Sequence, residues 1–358
     1  MPRRDNRLGE RREIMKTISR VFISLLIVSL LAAGITGARS AFAASAKITL
    51  TMAGSLPAPH SASKAVVRFA DAVKKHTDGQ VEIKFFPGSS LYADKDIPTA
   101  ITQGACDMAL TSFGTWGGIS PSVIALDLVG VYRDFAHYNA AQDGSLGKLL
   151  AQDLAAKGVH LVGFAALGET QTISTCKKLI QKPEDLKGLL IRCPTMGAQW
   201  FVEAFGAVPS FISSAELYSA LQRGTVDGAA ATAHSARQSK WYEAAPNITW
   251  VMICPGAPFG IVANLSKWSN LPPKIQETMS KDWAAELADN RKEARQQQDD
   301  AWKFFTGESR KVKTYMVTDE VRRRDWDPIA YEFELKKLYE MLGKEKTDKI
   351  LKAIADSK

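Results

Sequence analysis

Residues 183–194 read Pro183-Glu184-Asp185-Leu186-Lys187-Gly188-Leu189-Leu190-Ile191-Arg192-Cys193-Pro194. The apolar run Leu189-Leu190-Ile191 ends in an arginine, a cysteine and a proline, and a helical pattern begins a few residues further on. That order predicts a strand, a turn and a helix, with one cation at the end of the strand. Ligands of open α/β sheets bind outside the carboxyl ends of strands, which makes Arg192 the first candidate contact. The competing reading is an arginine paired to a neighbouring acid.

The same alternation extends in both directions. Helices are predicted over about 198–205, ending at Gly206, and about 215–222, after which Gly224-Thr225-Val226-Asp227 leads into a strand. Towards the N-terminus, Ser61 is expected to cap a helix with Ala62, Ala65, Val66, Phe69 and Val73 on one face, ended by Asp78-Gly79. The alternating Val81-Glu82-Ile83-Lys84-Phe85 is then a strand, closed by Pro87-Gly88. A helix over 138–156 stops before Gly158, and residues 159–165 are strand-like. Gly-x-x-Asp follows a glutamine-bearing helix twice, at Gly104 and Asp107 and at Gly224 and Asp227, an internal echo that fits two similarly built lobes. From Pro272-Pro273 to about Phe305 runs a helical stretch of roughly 45 Å, long enough to lie along both lobes. Helices alternating with short strands predict an α/β fold in two lobes.

With 358 residues and 46% hydrophobic content, the chain can bury a core larger than a single typical domain. The formal charge of +8 suggests an anionic partner, but the first 43 residues hold eight Lys/Arg against three Asp/Glu, a surplus of five that leaves about +3 for the remainder. The basic character therefore argues poorly for nucleic-acid binding. Arg3, Arg4, Arg7, Arg11, Arg12, Lys16 and Arg20 precede an apolar run over 21–33, and Ala41-Phe42-Ala43 follows. This is the order of a secretory signal peptide over 1–43, and the run is shorter than the roughly 20 residues of a membrane span. Met15 is a second possible start, and Arg11-Arg12 leaves the twin-arginine route open beside the general one. No cysteine stands near the cleavage site, so a lipid-free periplasmic protein is expected.

Catalytic motifs are missing from the sequence. There is no G-x-S-x-G elbow, no Walker loop and no G-x-G-x-x-G after a strand. The five histidines form no H-E-x-x-H or similar ligand pair. Cys106, Cys176, Cys193 and Cys254 lack the C-x-x-C spacing of a zinc site; if one disulfide forms, Cys176 with Cys193 is favoured, both lying at the ends of short apolar segments. Nothing here argues for an enzyme, a metal or a cofactor.

The stretch at 183–194 resembles the "DLKGLKIRVP" segment of the periplasmic substrate-binding proteins of TRAP transporters, of the DctP type. Phe205-Gly206-Ala207-Val208-Pro209 and the segment from Glu216 to Gly228 continue the resemblance in order and spacing, and Thr77-Asp78-Gly79, Phe86-Pro87-Gly88 and Gly104 to Asp107 match its N-terminal part. The resemblance implies two α/β domains joined by hinge strands, a helix spanning both, and a cleft that closes on a small organic acid. It assigns Arg192 as the carboxylate-binding arginine, whose planar fork can take both oxygens. Many members carry a second arginine where this chain has Thr170, and acidic and amide residues where it has Ala229-Ala230-Ala231. Candidate contacts are therefore Arg192, Thr170, Thr195, Ser214 and Ala231 from one lobe, Ser214 standing where an aromatic often packs on the ligand. From the other come His60, Ser112, Thr115, Trp116 and Phe259. Lobe I is expected to comprise 44–167 and 256–296, and lobe II 168–255 and 297–358.

The function this implies is capture of a small organic acid, a monocarboxylate with an apolar or weakly polar body, and its delivery to TRAP membrane subunits. No nucleic acid and no membrane span of the chain itself are expected. The alternatives are a sensory module, or a periplasmic enzyme acting on an acidic small molecule, which would not return an incubated ligand unchanged. The leader order predicts a secreted form that begins at about Ala44 and carries no lipid. Its intact mass checks this: a species retaining residues 1–43, or bearing a diacylglycerol, contradicts it.

Overall fold

The computed structural model describes residues 47–168, 171–253, 256–307 and 312–357. The signal peptide expected at 1–43, Thr170 and Cys254 lie outside them. Two sheets organise the chain. The first has the order β2 (Val81–Phe86), β1 (Ile48–Gly54), β3 (Met108–Ser112), β10 (Phe259–Asn264) and β4 (Val159–Ala165). Strands β2, β1 and β3 are parallel, and β10 runs antiparallel to both of its neighbours. The second has the order β11 (Lys313–Met316), β9 (Asn247–Trp250), β5 (Gln171–Thr175), β8 (Gly228–Thr232), β6 (Leu190–Arg192) and β7 (Val208–Ser210), with β8, β6 and β7 parallel.

The inner strands β3 and β8 are buried along their whole length, so both of their faces meet core, whereas the edge strands β2 and β11 alternate or are exposed. In the first sheet Met108 and Leu110 join one core cluster with Ile261 and Ala263, while Ala109 and Val262 join the cluster on the opposite face. In the second, Ala230 and Ile191 face one cluster, and Ala229, Ala231 and Leu190 the other. The period of two decides which residue meets which layer.

The repeated Gly-x-x-Asp has a structural reason. Gly104 (φ +72°) and Gly224 (φ +69°) each leave a helix end in the left-handed region, where a side chain would be strained. Asp107 then accepts from the Thr51 backbone N–H of β1 at 2.6 Å, and Asp227 from the Leu190 N–H of β6 at 3.0 Å. Each aspartate enters one parallel strand and pins the backbone of the next, so the same local device starts the inner strands of both lobes.

Several boundaries differ from expectation. The first helix is Ser61–His76, and its cap is His60 rather than Ser61, with the ring Nδ1 accepting from the Ala62 N–H. The helix expected over 138–156 is two helices, Phe135–Asp143 and Ser145–Ala155, parted at Gly144. The assignment of all of 297–358 to lobe II is corrected at its end. Ile350 and Ile354 of the last helix, Lys344–Ala355, pack with Leu146 and Leu150 in the first lobe. Conversely Val129, inside the stretch assigned to lobe I, joins the core of lobe II. Chain order alone does not show that terminal segments cross back.

The long helix is Pro273–Thr306, about 50 Å at 1.5 Å per residue. Its first half binds the first lobe: Arg68 reaches Glu286 at 2.5 Å, and the Trp283 indole donates to the Phe164 carbonyl at 2.8 Å. Its last turns carry Ala301 and Phe305 into the core of the second lobe. Between them the wholly buried Asn290 accepts from the Ala166 N–H at 2.7 Å and donates to the Ala166 carbonyl at 3.2 Å. Ala166 follows the last residue of β4, where the chain leaves the first sheet and its ladder partners end.

Asn290→Leu would leave both backbone groups of Ala166 buried without those partners, and a loss of about 2–4 kcal/mol is expected. Urea unfolding measures it; a midpoint equal to that of the parent would show that the crossing does not depend on this amide.

Candidate functional site

The carboxyl ends of the parallel strands of both sheets are directed towards each other, as the contacts between residues that follow them show. From the first lobe, β1 is followed by Ser55 and His60, β2 by Asp94, and β3 ends at Ser112. From the second, β6 ends at Arg192, β7 leads to Ser214, and β8 leads through Thr232 to His234.

Arg192 is 5% exposed. Its Nε donates to the Ile212 carbonyl at 2.9 Å, Nη2 to Ser214 Oγ at 3.2 Å, and Nη1 to the Ala230 carbonyl at 3.4 Å, while the guanidinium carbon stands 5.9 Å from the Trp241 ring centroid. Burial brings its pKa down to about 10, and electrostatic interaction with Cys193 and Asp94 acts the other way. It therefore remains a cation at neutral pH. A guanidinium has five N–H donors; three are engaged here, which leaves one on each terminal nitrogen.

Asp94, from the other lobe, is near enough to act on Arg192 electrostatically without an ion-pair contact. Burial raises its carboxyl pKa, and hydrogen bonding by Ser55 and the Ser112 backbone, together with the charge of Arg192, opposes the rise. Its Oδ1 is buried without a hydrogen-bond partner. Sequence reading missed this residue because Asp94-Lys95-Asp96 resembles a solvated charge cluster. The usable signal was its place: it follows a strand and a Pro-Gly turn, where the strand-end rule points.

The other expected contacts have partners within the protein. The Thr195 hydroxyl caps the helix Met196–Ala204 by accepting from the Ala198 N–H at 3.3 Å, and it also hydrogen-bonds Asp127. Trp116 is fully buried in the core of the first lobe, with its indole donating to Thr111 Oγ1 at 3.1 Å, and is therefore no pocket wall. Ala231 lies in the second core, its carbonyl accepting from Thr172. Ser112 Oγ accepts from the Gly114 N–H at 3.2 Å and the Thr115 hydroxyl donates to the Ser112 carbonyl at 2.9 Å, so both shape their own turn. Phe259 is half-buried beside the core of the first lobe, in register with Ser112. Ser214 alone joins Arg192 directly. The favoured Cys176–Cys193 bridge does not form: both thiols are free, and β8 lies between the strands that carry them, placing them about two strand spacings apart, beyond disulfide reach.

Two glycines let the lobes approach each other. A Cβ on Gly114 would stand 2.7 Å from Thr195 Cγ2, and one on Gly197 would stand 2.4 Å from the Asp127 carbonyl oxygen. Asp127 accepts from the Gly197 N–H at 3.0 Å, seating a carboxyl at a helix N-terminus. Complete burial nevertheless raises its pKa to about 7, against the hydrogen bonds of Thr195, Gly197 and Ala198. Glu334, equally buried and bonded to the Val129 N–H at 2.7 Å, is raised for the same reason, with Asp127 and Asp327 adding repulsion. Among the described residues no group of three His, Cys, Asp or Glu side chains could hold a metal ion, and no helix is long and apolar enough to cross a membrane.

Two α/β lobes, joined by crossing strands and a shared helix around a cleft with one buried arginine, define the class of bacterial solute-binding proteins. The profile of the bacterial extracellular solute-binding protein family 7, DctP, matches residues 52–327, and the chain belongs to that family. It is a solute-binding component of TRAP transport, not an enzyme. It is 28% identical over 222 residues to the 2,3-diketo-L-gulonate-binding periplasmic protein YiaO of Escherichia coli, covering 62% of this chain and 66% of that one. With the C4-dicarboxylate-binding periplasmic protein DctP of Rhodobacter capsulatus it shares 27% identity over 220 residues, 61% and 65% of the two chains. A TRAP solute-binding protein of Desulfovibrio salexigens with bound orotic acid superposes with a TM-score of 0.80 at 20% identity, covering 87% of this chain and 98% of its own. One from Sulfurospirillum deleyianum with bound succinate gives 0.77 at 25% identity, with 87% and 100% covered.

The raised carboxyl of Asp127 makes stability depend on pH. Folded, it holds a proton up to about pH 7, whereas unfolded it releases that proton near the ordinary 3.8, so stability falls as pH rises between those values and levels off above. Asp127→Asn keeps an acceptor for Gly197 and should remove part of this fall, on the order of 2–4 kcal/mol. Urea unfolding of both proteins at pH 5 and pH 8 tests it; equal slopes would contradict the assignment.

Proposed function

We propose that this protein captures a small organic acid in the cleft, closes on it, and delivers it to a TRAP permease in the membrane, with the solute a monocarboxylate of apolar or weakly polar body. The observation that carries the reading is the pair of N–H donors left on Arg192, one on each terminal nitrogen. A carboxylate has two oxygens to match that fork. The ligands of the relatives and fold neighbours, diketogulonate, orotic acid and succinate, are all acids and agree with the choice of a carboxylate.

Charge balance supports the preference for one carboxylate. The Asp94 carboxyl already acts on Arg192 from the other lobe, which leaves less positive charge for an arriving anion. A second carboxylate would need its own cation in a desolvated place, at a penalty of several kcal/mol. The arginine that many family members use for this is replaced by Thr170. Ala229, Ala230 and Ala231 also offer no side-chain partner to a row of hydroxyls.

Arg192→Ala should weaken binding by about 2–5 kcal/mol, a loss on the order of 30-fold or more, and Arg192→Lys should recover only part of it because an ammonium keeps the charge without the fork. Because Arg192 is buried and hydrogen-bonded, Arg192→Ala will also lower the melting temperature, and calorimetric affinity must be read well below it. Unchanged affinity in folded Arg192→Ala removes the carboxylate reading. A thermal-shift panel stabilising the protein only with C4-dicarboxylates or uronates removes the monocarboxylate preference while leaving the carboxylate reading intact.

A further inference from the structure

Two histidines from opposite lobes face each other in the cleft, with ring centroids 5.3 Å apart and planes at 76°. His60 follows β1, and His234 opens the helix Ala233–Gln238 after β8. In the first sheet β1 is the neighbour of β2, which leads to Asp94; in the second β8 is the neighbour of β6, which ends at Arg192. The histidine pair therefore lies one strand inward from the Arg192–Asp94 pair in both sheets, a displacement of about 5 Å.

The tautomer of His60 is determined by its cap. Its Nδ1 accepts from the Ala62 N–H at 3.2 Å, and a ring nitrogen that accepts carries no hydrogen, so the proton of the neutral ring is on Nε2. That Nε2–H is buried and has no acceptor in the protein, on a residue 2% exposed. His234 Nε2 is likewise buried and unpartnered. Buried polar atoms are nearly always paired, and two unpaired ones meeting from opposite lobes mark a place where a bound molecule supplies the partner.

Neither ring is a cation there. Burial, and then the facing His234, lower the pKa of His60 to about 3; burial and Arg237 lower that of His234, against a hydrogen bond with Gln238. A neutral ring offers a single N–H, and the free donor of His60 suits an oxygen acceptor.

We propose that His60 and His234 form a second, uncharged recognition point, which selects carboxylates bearing a carbonyl or hydroxyl oxygen a few ångströms from the acid group. This rests on the carboxylate reading of Arg192 and narrows the solute class to oxygenated monocarboxylates. His60 donates from Nε2 to that oxygen, and His234 closes over it from the other lobe.

The test uses matched acids as probes, pentanoate against 4-oxopentanoate and benzoate against 4-hydroxybenzoate, by calorimetry on the purified chain. In the parent protein the oxygenated member of at least one pair should bind about tenfold or more tightly, because a site built to hydrogen-bond an oxygen discriminates against the analogue that lacks it. His60→Asn keeps a good helix cap but is too short to reach the oxygen, and His234→Phe keeps the ring packing; in each the preference for the oxygenated member should shrink to about threefold or less. Carboxylates that bind through Arg192 with no preference for the oxygenated member, or variants that weaken both members equally, overturn this proposal and leave the carboxylate reading standing. If no acid of the panel binds the parent protein, the carboxylate reading falls and the proposal with it.

Discussion

A guanidinium placed 5% exposed at the end of a short strand must be answered on every side, and much of the cleft is arranged to do so. Isolated charge is expensive to bury, and an arginine tolerates burial only when its donors are met and its charge is balanced. The loop after β7 turns so that the Ile212 carbonyl meets Nε; Ser214, in the first turn of its helix, meets Nη2; Trp241 lies beside the guanidinium. These groups come from one lobe. Asp94, which acts on the guanidinium electrostatically, comes from the other.

The meeting itself is a packing problem solved by small residues and buried acids. Gly114 admits Thr195, and Gly197 admits the Asp127 backbone, each at distances that a Cβ would forbid. Asp127 and Glu334 supply acceptors to backbone N–H groups where segments of the two lobes interleave. The long helix is tied to the first lobe by Arg68–Glu286 and the Trp283 indole, and to the second by Phe305. Motion between the lobes must therefore be absorbed by bending of this element and by the crossing segments, because neither end can detach without exposing core.

What was legible in the sequence followed local rules. A run without Pro or Gly, rich in Glu, Lys, Arg, Gln and Ala, located the long helix within a residue or so of Pro273–Thr306, and alternation found the strand at 81–86. The Gly-x-x-Asp echo was visible because one backbone problem, leaving a helix and pinning a parallel strand, had been solved with the same residues twice. Arg192 stood out because a cation ending an apolar run is uncommon. Less legible were the roles of small polar residues. Thr195 looked like a ligand contact and is a helix cap; Trp116 looked like a pocket wall and is core. Hydroxyls and indoles serve both purposes, and only their partners distinguish the two.

The sequence by itself determined the α/β class, the family, the strand ends and the arginine placed at one of them, because each depends on residues close together in the chain or on an ordered series of motifs. The tertiary structure alone decided that Asp94 opposes Arg192, that His60 meets His234, that Asp127 occupies the helix end beside Thr195, and that the last helix returns to the first lobe. These pairings join residues tens to hundreds of positions apart. Burial then sets their protonation, pulling His60 down and pushing Asp127 up, and burial is a property of the assembled layers that no local pattern carries.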